Sequence, residues 1–297
     1  MAAGVTGPTF LIIGAAKSGT TALYRWLQQH PQVFMPDNKQ PHHFAGIRPD
    51  FTGPGDAAFN RDIVTDRSGY LALFASGAAQ PACGEASPFY LYYAAASAGA
   101  IRDAFPDCRL VVLLREPVSR AWAGYLHLVR DGRERAGFRQ ALDQEAERLR
   151  RGWEPLWAHR ALGLYGEQLA AVLRVFPREQ VGVWLYDEMR SNPGRLFAEV
   201  CRFIGVDPDF VPEFTRHNTG GVPRHPALHA LLVRLRVPHL AKRLLPERTA
   251  QWVVSRYLDH RPPPPEIARE LAEFFAEDRA LLQSCIPGKD LSAWGKR

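Results

Sequence analysis

The chain has 297 residues and a mass of 33.3 kDa, too long for a disulfide-stapled scaffold and enough for one large or two small domains. With 46% hydrophobic, 11% aromatic and 23% charged residues it can bury a core, which excludes global disorder. The net charge of +6 and the pI near 9.3 favour an anionic partner without saying which. Cys83, Cys108, Cys201 and Cys285 lie far apart and make no ligand spacing, so a reducing cytoplasm is the simpler setting and no metal is expected. Met1–Pro8 lacks the basic start of a signal peptide and Phe10–Ile13 is too short to cross a bilayer, so a cytoplasmic protein without stable membrane insertion is expected. Usage rich in arginine and alanine points to a GC-rich genome.

In chain order, Phe10–Gly14 is predicted to be a buried strand, and Thr21–His30 a helix ended by Pro31. Leu110–Leu114 and Val181–Leu185 are further apolar, β-branched strand candidates. Between them, Phe138–Arg151 is predicted as a helix with Glu145, Glu147, Arg148 and Arg151 on a solvated face. The stretch 224–261 is basic and partly amphipathic, with Arg234, Arg236, Lys242, Arg243, Arg248 and Arg256 among leucines. It fits a solvated helical face or a helical cap over 225–262 that covers an anionic, lipid-like or carrier-bound acceptor. Pro262–Pro265 is a stiff connector. Residues 266–284 then suggest a last amphipathic helix, with Leu271, Phe274, Phe275, Leu281 and Leu282 as its apolar stripe. Apolar runs alternating with amphipathic stretches predict an α/β protein. The expected form is a single P-loop-like domain over 1–297, a central parallel sheet flanked by helices, with a helical C-terminal elaboration.

The most informative stretch is Gly14-Ala-Ala16-Lys17-Ser18-Gly19-Thr20-Thr21, between the first strand and the first helix. A small-residue turn there aims free backbone N–H groups at one point, as helix N-termini do when they bind phosphate or sulfate. Lys17 adds charge, and Ser18, Thr20 and Thr21 add hydroxyls. Lysine precedes the second glycine here, whereas a Walker A loop places it after, so a nucleotide kinase is the lesser alternative. A nucleic-acid-binding protein would explain the pI, but the basic residues are dispersed and no reading motif is present, so no nucleic-acid partner is expected. After the second strong strand, Arg115 opens an Arg-Glu-Pro turn at a strand's carboxyl end, where open α/β sheets place ligand groups.

The loop Gly14–Thr21, with Leu23 and Leu27 behind it, resembles the 5′-phosphosulfate loop of sulfotransferases that use 3′-phosphoadenosine 5′-phosphosulfate (PAPS), in the bacterial and heparan-sulfate-like branch. The resemblance implies that Ala16, Lys17, Ser18, Gly19, Thr20 and Thr21 hold the 5′-phosphate and sulfuryl group, Lys17 stabilising charge on the leaving phosphate. Arg115 matches the arginine of that family's 3′-phosphate motif, while Ala123 stands where its serine is expected. Gly84–Leu91 resembles the GE-x-(S/T)-P-x-Y segment, Asn218–Arg224 the basic loop that closes over the cofactor and supplies Arg224, and Asp290–Trp294 the C-terminus. Lys39–Phe44 is similar to the K-E-P-H-F-F segment, with Gln40 in place of the glutamate that serves as general base. An amide accepts no proton at neutral pH. Three explanations stay open: His42, which matches the family histidine, takes the proton; the acceptor needs little help; or the protein is an altered form. The implied reaction moves the sulfuryl group of PAPS to a hydroxyl, or less readily an amine, of a small-molecule, secondary-metabolite, glycan or lipid-like acceptor, releasing adenosine 3′,5′-bisphosphate (PAP).

Overall fold

The structure is a computed structural model that describes residues 7–214, 222–223, 258–259 and 262–295. Strand β1 (Phe10–Gly14) is buried along its whole length, as expected of an apolar run covered on both faces. It pairs in parallel with β3 (Ala82–Glu85) on one side and β4 (Arg109–Leu114) on the other. The short β2 (Val33–Phe34) joins β3, and β5 (Val181–Leu185) joins β4, giving the all-parallel order β2-β3-β1-β4-β5. Because the chain reverses its direction across the sheet at β1, the carboxyl end of β1 is the crevice in which such sheets bind ligands.

Two helices start at that crevice. Helix α1 (Thr20–Leu27) follows β1 and packs Leu23, Tyr24, Trp26 and Leu27 on the sheet. Pro117 opens the 14-residue helix after β4, and Glu116 caps it by accepting from the backbone N–H of Val118 (3.0 Å) and Ser119 (2.6 Å). Between them run α2 (Asp56–Asp62), α3 (Arg67–Ala72) and α4 (Ala94–Ala104), so the helix from Pro117 to Arg130 is α5. Downstream come α6 (Phe138–Asp143), α7 (Glu145–Arg150), α8 (Tyr165–Leu173), α9 (Tyr186–Ser191) and α10 (Pro193–Ile204). Helices cover both faces of the sheet, one core holding α4 and α8, the other α1 and α10.

Two predicted helices are each broken in two. Phe138–Arg151 divides into α6 and α7, and its supposed solvated face is partly internal. Glu145 is buried and accepts from the backbone N–H of Arg160 (2.8 Å) and Ala161 (3.0 Å), and buried Arg148 pairs with Glu134. Residues 266–284 form α11 (Pro265–Phe274) and α12 (Ala276–Cys285), bent at Phe275. Adjacent Phe274 and Phe275 stand about 100° apart on a helix and cannot share one stripe; Phe275 is buried and Phe274 exposed, and Leu281 is exposed too. Asp278 of α12 accepts from the N–H of Gly166 (2.9 Å) and Glu167 (3.0 Å), fixing the start of α8. Val222–Pro223 pairs antiparallel with Leu258–Asp259. Arg224, and the expected cap over 225–262 apart from Leu258, Asp259 and Pro262, lie outside the described residues.

Candidate active site

The loop from Ala15 to Gly19 is held by its ends. The Ala15 N–H donates to the Leu113 carbonyl on β4 (2.7 Å), and Gly19 enters α1 with φ of 96°. A Cβ at Gly19 would lie 2.7 Å from Met189 Sδ, so the position needs glycine for both backbone and space. Among the described residues, nothing accepts the N–H groups of Ala16, Lys17, Gly19, Thr20 or Thr21. They are the free donors expected at an anion-binding helix start. Ser18 Oγ is buried as well, beside the Tyr165 hydroxyl.

Lys17 and His42 are the only described non-glycine residues with positive φ, at 69° and 50°. Such backbone is costly for a side-chain-bearing residue and tends to mark functional positions. Burial, with Arg130 next in weight, brings the Lys17 ammonium down to about 7; Asp131 opposes the shift, and Lys39 and Arg115 reinforce it. Arg115 is placed beside the loop as the sequence anticipates: its Nη1 donates to the Lys17 carbonyl (3.4 Å) and its guanidinium lies over the Tyr186 ring (4.9 Å). A small cleft gathers Arg115, Ser119, Tyr186 and Arg190, so Ser119 shares the Arg115 site even though it does not stand at the family's serine position.

On the other side, Lys39 Nζ donates to Thr21 Oγ1 (3.0 Å), and burial lowers its pKa to about 8 against the pull of Glu85. Glu85, at the end of β3, is fully buried, and burial raises its carboxyl to about 8 although Tyr90, Ser87 and Lys39 lie near enough to oppose it. Neither carboxyl oxygen has a well-formed hydrogen bond. The His42 ring is wedged between Phe59 (4.7 Å between centroids) and Phe89 (5.5 Å). Both ring nitrogens are buried without partners, and burial, helped by Lys39, holds the pKa down to about 3. The imidazole is therefore neutral with a free lone pair. His43, its neighbour, stacks on Tyr70 and bonds the Val64 carbonyl, away from the loop.

A third group was not legible as part of the site. On α5, Arg120, Gly124 and His127 recur at helical spacing, and a Cβ at Gly124 would lie 4.0 Å from Lys17 Cγ. This face looks onto the loop. His127 is held down to about 3 by burial and then by Lys17, with Asp131 opposing, and its nitrogens face Arg130 and Asp131. The sequence signal for this face was an arginine on the otherwise small and apolar row of Arg120, Gly124 and Leu128.

Residues 8–210 match the Sulfotransferase family profile. The chain belongs to the sulfotransferase family. The sulfotransferase of Alicyclobacillus acidocaldarius is 38% identical, with a TM-score of 0.77 over 98% of this chain and 99% of that one. Mouse carbohydrate sulfotransferase 15 is 27% identical over 251 residues, 68% of this chain and 44% of that protein. Mouse heparan sulfate glucosamine 3-O-sulfotransferase 6 is also 27% identical, over 202 residues, 67% and 52% respectively. The chain thus spans about half the length of the curated relatives it matches. Among the described residues, no helix of the sulfotransferase is long and apolar enough to cross a membrane, and no three His, Cys, Asp or Glu side chains group as a metal site.

Proposed function

We propose that this sulfotransferase moves the sulfuryl group of PAPS to an acceptor hydroxyl and releases PAP. The observation that carries the proposal is the loop: the N–H groups of Ala16, Lys17, Gly19, Thr20 and Thr21, free among the described residues, the buried Ser18 hydroxyl and Lys17 all sit at the carboxyl end of β1, with Arg115 against the Lys17 carbonyl. This donor set fits a phosphosulfate beside a second phosphate. PAPS supplies an already activated sulfuryl group, so the protein's part is to orient and to meet developing charge.

Lys17 and the loop N–H groups stabilise the oxygen that gains charge. Arg115, with Ser119 and Arg190 in the same cleft, holds the 3′-phosphate in place of the missing family serine, and Arg224, which lies outside the described residues, is assigned to the cofactor on the resemblance alone. His42 takes the acceptor proton: the lone pair of its neutral ring is free among the described residues, and its backbone, like that of Lys17, is held in the left-handed region. His127 is a second candidate because it lies on the face beside Lys17, but both of its nitrogens already meet Arg130 and Asp131. The acceptor is a glycan, lipid-like or secondary-metabolite hydroxyl in a bacterial cytoplasm, a setting that suits four unpaired cysteines.

The test is incubation with PAPS and a fractionated extract, read by mass spectrometry for a sulfated product. Lys17→Ala is expected to lower turnover by about 10²–10³-fold, as for the loss of one oxyanion donor, while the protein still melts cooperatively. His42→Ala is expected to lose most transfer, with His127→Ala the direct competitor for the same role. Turnover of ATP in place of PAPS, or near-normal transfer by Lys17→Ala, would overturn the proposal.

A further inference from the structure

Beneath the loop lies a charge that no carboxylate among the described residues neutralises. Arg120 of α5 is 0% exposed. Its Nη2 donates to the His159 carbonyl, while Nε and Nη1 meet no acceptor among the described residues. The carboxylates nearest in the field, Glu145 and Glu116, are spent on backbone N–H groups, Glu145 at Arg160 and Ala161 and Glu116 at the α5 cap. A guanidinium cannot shed its proton to escape this situation, and a buried ion left unpaired is among the costliest arrangements in a protein interior.

The surroundings show where a partner would sit. A Cβ at Gly124 would lie 3.6 Å from Arg120 Nη1, 3.6 Å from His159 Nδ1 and 4.0 Å from Lys17 Cγ, so these three side chains converge on the space that glycine leaves. Tyr165 Oη lies near Arg120 and Ser18 on the far side. The hydroxyls of Tyr165 and Ser18 are buried within reach of each other, and both ring nitrogens of His159 are buried without a partner among the described residues. Buried polar side chains therefore run from the guanidinium up to the loop itself.

We infer that Arg120 is the buried counter-charge of the anion that the Lys17 loop receives, a positioning residue whose free guanidinium N–H groups the 5′-phosphosulfate group completes. The inference rests on the loop being a phosphosulfate site. Arg120 acts from below, through Ser18, Tyr165 and the Gly124 space, while Lys17 acts from within the loop. It should therefore contribute to the 5′ end of the ligand and not to the 3′-phosphate at Arg115.

The experiment compares binding of PAP and of adenosine 3′-monophosphate, which lacks the 5′-phosphate, by calorimetry, together with the melting temperature of the free protein. The wild type is expected to prefer PAP. Arg120→Met, an apolar side chain of similar length, should weaken PAP by about ten- to hundredfold, the range for a charge-assisted hydrogen bond. It should leave adenosine 3′-monophosphate unchanged, and it should melt no lower than the wild type. Arg120→Lys keeps the charge without the fork and should fall between the two. A variant that retains the wild-type preference for PAP sinks the inference. So does an Arg120→Met that fails to fold beside an Arg120→Lys with the full preference, because the charge would then serve the fold alone. A wild type that shows no preference for PAP over adenosine 3′-monophosphate sinks the loop assignment itself.

Discussion

The molecule buries charge in two places and treats it in opposite ways. Around α2, α7 and the Pro155–Trp157 turn, every buried ion has partners. Asp56 accepts from the N–H of Gly53 and Glu154 (2.8 Å each), from Trp157 Nε1 (3.4 Å) and from Arg133. Arg133 also meets Glu154, and Arg148 meets Glu134, which accepts from the N–H of Arg135 and Ala136 (2.8 Å each). Around the β1 loop, by contrast, Arg120, His42 and His159 are buried with side-chain nitrogens that meet no acceptor or donor among the described residues, and the Glu85 carboxyl has no cation bonded to it. A set closed on itself holds a fold together; an open set, at the carboxyl end of a parallel sheet, is built for something that arrives from outside.

The largest effect is expected from opening the closed set. Arg133→Ala would leave Asp56 and Glu154 buried beside each other without their cation. That is expected to cost about 3–5 kcal/mol, as for other broken buried pairs, read as a drop in the urea midpoint. Burial already holds Glu154 up to about 7 despite Arg133, so removing the arginine should also push its protonation higher. PAP affinity at a temperature where the variant stays folded should not change. A variant of wild-type stability, or one that lost PAP binding while stable, would erase the distinction between the two regions.

Much of this contrast was hidden in the sequence for a physical reason. Strands β1, β4 and β5 were legible because each is a continuous apolar run, and the loop because strand, glycine, lysine and hydroxyls stand together within twelve residues, Phe10–Thr21. The β3 strand, Ala-Cys-Gly-Glu, was not legible as a strand, since small residues and a carboxylate look like a turn until two neighbouring strands bury them. Glu145 and Arg148 were expected on a solvated face because their partners Ala161 and Glu134 lie sixteen and fourteen residues away, beyond any helical spacing. Arg120, His159 and Tyr165 meet only in the fold. Their lack of partners is a property of three-dimensional packing that no spacing rule reports.

A second test asks whether the open set costs stability. Glu85 has its carboxyl raised to about 8 from the usual 4.5, chiefly by burial. Between those two values the folded chain binds a proton that the unfolded chain has released, so stability falls as pH rises through that window. The loss is about 3–4 kcal/mol between pH 5 and pH 8, against a ceiling of about 1.4 kcal/mol per pH unit. Glu85→Gln cannot ionise. The difference between its urea stability and that of the wild type should therefore be small at pH 5 and favour the variant at pH 8. A difference that is flat with pH would mean that Glu85 is ionised and compensated in the native state, like the carboxylates around Arg133.

The smallest expected effect is on ligand binding, and it sharpens the role of the loop. Lys17 is held down to about 7 in the free protein, first by burial and then by Arg130. An anion in the loop favours the ammonium, so the bound pKa lies above the free one. Above pH 7 binding must then take up a proton, and PAP affinity should fall by about tenfold per pH unit, or about 1.4 kcal/mol. Below pH 7 Lys17 is already charged and contributes no slope. Lys39, held down to about 8 and bonded to Thr21, titrates in the same range, whereas His127, at about 3, does not. Calorimetry from pH 7.5 to 9 in buffers of different ionisation enthalpy measures the proton uptake directly. Lys17→Ala should bind more weakly throughout and lose the slope, and Lys39→Met should keep it. If the slope instead survives in Lys17→Ala and vanishes in Lys39→Met, the proton belongs to the lysine beneath Thr21, and the charge that meets the ligand sits one position deeper than the loop.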